Sequence, residues 1–244
     1  VIWKLVPESP YWLAEKGRTS EANASINRLA EGRVTATTTA GISASGNDIA
    51  FLNIFRGAAL RTTIVQSVIN FCFAWGYWGL ASWMPTLLAK RGLSAPEGLG
   101  FMALSALFMF PGYISASYLT GRFGRKKIML LYVFISAIAG FGFAYSGTIT
   151  EMYVWSFTLS FFSLGAWGVW NTWLGEVYDT RNRGAGVAWG VSAQRVANAV
   201  APIAIGSILA TSNFLQTVSF ITMFLAVTFV ASLFLPETEG ETLA

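Results

Sequence analysis

The sequence predicts an all-α membrane protein built on six transmembrane helices. Three observations carry that prediction. Of 244 residues, 54% are hydrophobic and only 11% are charged, with a mean hydropathy of +0.54; a soluble domain carries about 25% charged residues. Six apolar runs, roughly 62–89, 99–120, 128–147, 152–175, 186–210 and 214–235, are each long enough to cross about 30 Å of hydrocarbon at about 1.5 Å per residue. The runs are continuous rather than alternating, which excludes a β-barrel. Finally, the cations lie on one side. Lys4, Lys16, Arg18, Arg28, Arg33, Arg56, Arg61, Arg122, Arg125, Lys126, Lys127, Arg181 and Arg183 fall before the first run or in the second and fourth connections. Only Lys90 and Arg91 face the other way, and Arg195 lies inside a run. The positive-inside rule puts the basic side, and both ends of this chain, in the cytoplasm.

The elements follow in order. Val1–Val6 is apolar with one Lys and reads as the tail of an upstream span rather than a signal peptide. Ala22, Ile26 and Leu29 fall at i, i+4, i+7, the pattern of an amphipathic surface helix. Residues 33–47, RVTATTTAGISASGN, lack apolar bulk and read as a flexible linker. A short helix over Asp48–Phe55 leads to the membrane. Domain limits are therefore expected at 1–61 for the upstream tail and cytoplasmic loop, 62–235 for the six-helix bundle, and 236–244 for a cytoplasmic tail.

In the first span, Gln66, Asn70 and Tyr77 share a face within about 40°. Lipid penalises such a stripe, so it faces a central cavity or a neighbouring helix. GRFGRKK, residues 121–127, is a tight turn between the second and third spans. Helices on both sides exclude a phosphate cradle, which needs a preceding strand, and the membrane setting excludes a nucleic-acid patch. The fourth span carries Trp167 and Asn171 at i, i+4, with Trp170 beside them; they line a site or pack against helices. Arg195 lies about nine residues into the fifth span, close to the midplane, with Gln194 adjacent and Asn198 at i+3. A charge there costs a few kcal/mol unless it faces water or a partner. It either binds a carboxylate with its forked donors or bonds neighbouring amides and carbonyls. Pro85, Pro111 and Pro202 mark kinks; Gly165, Gly168, Gly186 and Gly190 allow close helix approach. The sequence has no His and one Cys, Cys72, inside an apolar run. His-based triads, His-held metals and disulfides are thereby excluded, and no cofactor is expected.

Four motifs resemble one family. PESPYWLAEKGR (7–18) is similar to the segment after the sixth span of sugar-porter-type members of the major facilitator superfamily. GRFGRKK resembles their DRxGRRK loop. Glu176, Arg183 and Gly186 match the signature E-x-x-P-x-x-x-R-x-x-G, and PETEGETLA (236–244) resembles PETKGxxLE. The match runs through the whole chain in order. The resemblance implies the C-terminal half of a twelve-span secondary transporter: two inverted three-helix repeats, with a substrate site at midplane against the missing N-terminal six-span half. The texture of 81–94 and 165–184 is closer to metabolite– and aromatic-acid–proton symporters than to hexose carriers, whose glutamine-rich motif is missing from the first span here. Gly121 stands where the loop has Asp, and Asp179 where the signature has Pro.

From this follow the expected roles. Gln66, Asn70, Tyr77, Trp167, Asn171, Gln194, Arg195 and Asn198 would bind substrate. Arg122, Arg125, Glu176 and Arg183 would form a cytoplasmic gate. No Asp or Glu lies within a span, so a coupling proton would be carried by the missing half or by Glu176. The expected activity is proton-coupled symport of a small organic anion across the cell membrane. A hexose-type sugar transporter and a non-transporting receptor are the alternatives; an enzyme, a metal site and a nucleic-acid partner are not expected.

Overall fold

The computed structural model describes residues 7–15, 17–30 and 50–240, and every regular element among them is a helix. The chain divides into two compact units, residues 1–49 and 50–244. In the first unit, α1 (Pro10–Glu15) packs on α2 (Thr19–Leu29). Leu13, Ala14 and Ala22 form its small apolar core. Of the amphipathic stripe, Ala22 is buried and Leu29 is exposed. The expected upstream tail (1–6) and linker (33–47) lie outside the described residues.

The second unit holds α3 (Ala50–Asn53), α4 (Gly57–Lys90), α5 (Ala95–Leu107), α6 (Met109–Phe123), α7 (Arg125–Tyr145), α8 (Ile149–Glu176), α9 (Thr180–Thr211) and α10 (Phe214–Ser232). α5 and α6 together make the second span. The first span begins at Gly57, five residues before the apolar run at 62, because polar Arg61 and Thr62 still satisfy helical geometry at a membrane edge.

Among the described residues, four segments are apolar and long enough to cross a membrane by length and composition: Ala95–Phe123, Arg125–Tyr145, Asn182–Thr211 and Phe214–Ser232. α4 and α8, at 34 and 28 residues, also exceed the about 20 that a bilayer requires, and both carry polar side chains. Much of that polarity is turned inward: Thr63, Gln66, Asn70, Ser156 and Ser163 are all buried.

Helix starts differ between the two ends of the bundle. At one end, Ser94 with Glu97, Thr148 with Glu151, and Asn213 with Gln216 build capping boxes that open α5, α8 and α10. Each pairs a short polar side chain with a residue three positions on, satisfying two orphan N–H groups. At the basic end, α6 turns into α7 through Gly124 at φ 97°, a conformation that costs other residues a Cβ clash.

Packing places α4 against α9 and α10, α8 against α6 and α7, and α7 against α10. Numbering the spans one to six, exchange of one with four, two with five and three with six maps this pattern onto itself. That is the signature of two inverted three-helix repeats. The close approaches obey the same exchange. A Cβ on Gly112 of α6 would sit 2.2 Å from the Phe161 carbonyl of α8, and one on Gly190 of α9 would sit 2.4 Å from Gln66 of α4.

Candidate functional site

Two groups of polar side chains stand out in the bundle, one midway along the helices and one at the basic end.

The midway group begins on α4. Trp170 of α8 donates its Nε1–H to Asn70 Oδ1 at 3.1 Å, and Asn70 Nδ2 donates to Gln66 Oε1 at 2.8 Å. Gln66 Nε2 in turn reaches the Gly186 carbonyl of α9 at 3.5 Å. Gln66, Asn70 and Trp170 are all fully or nearly fully buried. Of the two readings of this stripe, Gln66 and Asn70 take the neighbouring-helix one: they bind α8, α4 and α9 together. Only Tyr77, half-buried, reaches a cavity, which it lines with Leu80, Met84, Phe101, Ser105 and Ser156. Trp167 lays its ring near Phe73, with centroids 5.3 Å apart. Asn171 is exposed on the same helix.

Arg195 is the sixteenth of the 32 residues of α9, so it sits at mid-helix. It is exposed and has no hydrogen-bond or ion-pair partner among the described residues. Its surroundings explain how that is tolerable. At about 100° per residue, Gly184, Ala188, Ser192, Arg195 and Ala199 line one exposed strip of small and polar groups. Val196, Val200 and Ile203 are 54%, 44% and 74% exposed and form a second strip roughly a quarter to a third of a turn away. The aliphatic strip suits lipid. The strip with Arg195 suits water or a polar partner.

Asn198, one turn further on, is half-buried and its Oδ1 has no partner. It lines a groove between α4 and α9 with Trp78, Gly79, Ser82, Ala201 and Pro202. Gln194 is buried. The structure therefore brings Asn198 together with Trp78 and Ser82, two residues that the sequence pattern did not single out, while Arg195 lies one turn before Asn198 on the same helix. Trp78 is 44% exposed, an openness that only the packed helices reveal.

At the basic end the Arg125 guanidinium meets the Glu176 carboxylate, with Nε 2.9 Å from Oε2 and Nη2 donating to Oε1 at 3.0 Å. Arg125 also pairs with Glu239. Thr238 donates its hydroxyl to Glu176 Oε2 at 2.6 Å, and Trp173 Nε1 donates to the Pro236 carbonyl at 3.1 Å. Glu237 Oε1 accepts the backbone N–H groups of Arg125 at 2.8 Å and Lys126 at 3.3 Å. The residues after α10 thus cap the start of α7 from afar, as a carboxylate at a helix N-terminus should.

Of the four expected gate residues, Arg125 and Glu176 meet. Arg122 does not join them: it is exposed, with Nη1 3.5 Å from the Tyr118 hydroxyl and its guanidinium over Phe123. Three residues before Arg125, across the Gly124 turn, it points off the cluster. Arg183 makes no ion pair among the described residues, and its Nε and Nη2 are buried without partners. Glu237, Thr238 and Glu239 were missed because the tail motif carries no local pattern that names its partner.

The model of the sugar (and other) transporter family matches residues 1–244. The chain belongs to this family. It is 33% identical over 248 residues to the niacin transporter NiaP of Acinetobacter baylyi, covering 100% of this chain and 56% of that protein. Among solved structures, the major facilitator superfamily proton:xylose symporter XylE superposes with a TM-score of 0.73 at 18% identity, over 99% of this chain and 54% of that one. The transporter FucP, in its outward conformation, gives 0.63 at 16% identity, over 91% and 55%. These likenesses establish the fold, the C-terminal half of a major facilitator, and an integral membrane protein. The chain spans about half the length of the relatives it matches.

Proposed function

We propose that this chain is the C-terminal half of a proton-coupled symporter for a small organic anion, of which niacin, an aromatic monocarboxylate, is the nearest example. The observation that carries the reading is Arg195, an unpartnered guanidinium at mid-helix on the small and polar strip of α9. Its two-pronged donor geometry matches a carboxylate. The exposed Trp78 indole and the Asn198 amide in the adjoining groove offer a stacking face and a hydrogen bond to a heteroaromatic ring. The name of the NiaP relative supports the substrate class.

In this reading the basic end is cytoplasmic by the positive-inside rule, in the cell (plasma or bacterial inner) membrane, with both ends of the chain on that side. The missing six spans face the Arg195 strip, and the two halves rock about the bound anion. The Arg125–Glu176–tail cluster closes the cytoplasmic mouth. The proton rides on an acid of the missing half or on Glu176.

Uptake of labelled nicotinate by the full-length protein in proteoliposomes, with and without an inward proton gradient, tests this. Gradient-driven uptake is expected. The Arg195→Lys variant should bind roughly tenfold more weakly, because a point charge replaces a fork. Unchanged affinity in that variant would overturn the anchor, and binding without flux would favour a receptor.

A further inference from the structure

A cavity lies between α6 and α8 at the basic end. It occupies about 460 Å³ and is lined by Tyr113, Ser117, Thr120, Thr172 and Arg125, with Gly121 and Gly168 leaving it open. That is the size of a small-molecule site. Four hydroxyls and one guanidinium face it. Thr120 is only 9% exposed, and its hydroxyl has no hydrogen-bond partner. A buried donor left unmatched is costly, so the wall calls for an oxygen acceptor from outside the chain.

Arg125 closes one side of this space and is held by two acids of unequal grip. Glu176 takes Nε and Nη2 and is 16% exposed, whereas Glu239 pairs through Nη1 and is 38% exposed. Glu239 ends the segment after α10, beyond the firmly bonded Glu237 and Thr238, and its side chain meets the bundle through Arg125 alone among the described residues. It is the more easily displaced of the two, since ion pairs lose strength as they meet water.

We propose that the cavity is a second carboxylate site, in which a small monocarboxylate replaces Glu239 on Arg125 while its remaining oxygen accepts from Thr120. The exchange conserves charge at Arg125, one carboxylate leaving as another arrives. The four cations of residues 121–127 hold the local potential favourable to an anion. The proposal rests on the transport reading for its ligand class and adds a consequence: arrival of the anion at the basic end would itself release the C-terminal strap. Unloading and opening would then be one event.

The test is calorimetric binding of nicotinate to the full-length protein in detergent. In Arg195→Ala, which removes the midway anchor, a weaker saturable site should remain. Adding Glu239→Gln to that variant should strengthen it about fivefold, the value of a partly exposed ion pair, and adding Thr120→Val should weaken it. Thr120→Ser, which keeps the hydroxyl, should restore binding and so separates chemistry from packing. If Arg195→Ala abolishes all binding and Glu239→Gln restores none, the second site is refuted while the transport reading stands. If the wild-type protein takes up no nicotinate yet the residual site responds to both substitutions, the substrate assignment at Arg195 fails and the cavity site survives.

Discussion

Replacing Glu176 by Gln should loosen the basic-end cluster by an amount that the geometry bounds. Glu176 accepts from Arg125 Nε and Nη2 and from the Thr238 hydroxyl. Hydrogen bonds to a charged partner contribute about 1.5–3 kcal/mol each in net terms. The substitution keeps a neutral acceptor oxygen, and Arg125 keeps Glu239, so no charge is stranded and the larger penalty of a lone buried ion does not apply. The expected loss is therefore near the low end, about 2 kcal/mol, which is roughly 30-fold in the ratio of closed to open forms. A cysteine at Thr172, exposed beside the cavity that Arg125 lines, reports that ratio through its rate of modification by an impermeant maleimide. The native Cys72 is buried and gives little background. In the full-length protein the Gln variant should label up to about 30-fold faster. Equal rates in the two forms would mean that the ion pair stabilises the helix ends without controlling access, and the gate would have to be sought elsewhere.

Other outcomes follow from the packing of the helices. Gly190→Ala puts a methyl 2.4 Å from Gln66 Oε1 and 2.8 Å from Asn70 Nδ2; overpacking of this kind costs about 1–3 kcal/mol and should lower the thermal midpoint in detergent. Trp83→Phe removes the 3.0 Å bond from Nε1 to the Pro202 carbonyl while keeping a ring over Gly206; a net loss of about 1 kcal/mol is expected, read from the same melts. Glu97 Oε2 accepts from the Ser94 backbone N–H and hydroxyl, each at 2.7 Å. Glu97→Ala removes both bonds, so amide exchange at Gly98, bonded to the Ser94 carbonyl, should accelerate.

The span pattern is legible in the sequence because lipid imposes a local rule: each helix must satisfy its own backbone and present about 20 apolar residues in a row. Capping boxes such as Thr148 with Glu151 are local too. The site is legible only where a residue violates the rule alone, as Arg195 does. The direction of a polar stripe is a different matter. Gln66 and Asn70 share their face with Tyr77, yet Asn70 is claimed by Trp170, a hundred residues along the chain, and Gln66 by the Gly186 carbonyl, 120 along. Arg125 and Glu237 are 112 apart, and nothing in either neighbourhood encodes the other. Arg122 and Arg125 look equivalent in the loop until the Gly124 turn separates them.

The carboxylate of Glu237 has a consequence for how the molecule is made. The first turn of α7 finds its hydrogen-bond partner in a side chain that leaves the ribosome only after three further spans have been synthesised. That turn must wait, with its amides in water, until the last helix has been threaded into the bilayer. A nonsense codon at position 236 would spare every hydrophobic segment and still leave the third one permanently unfinished.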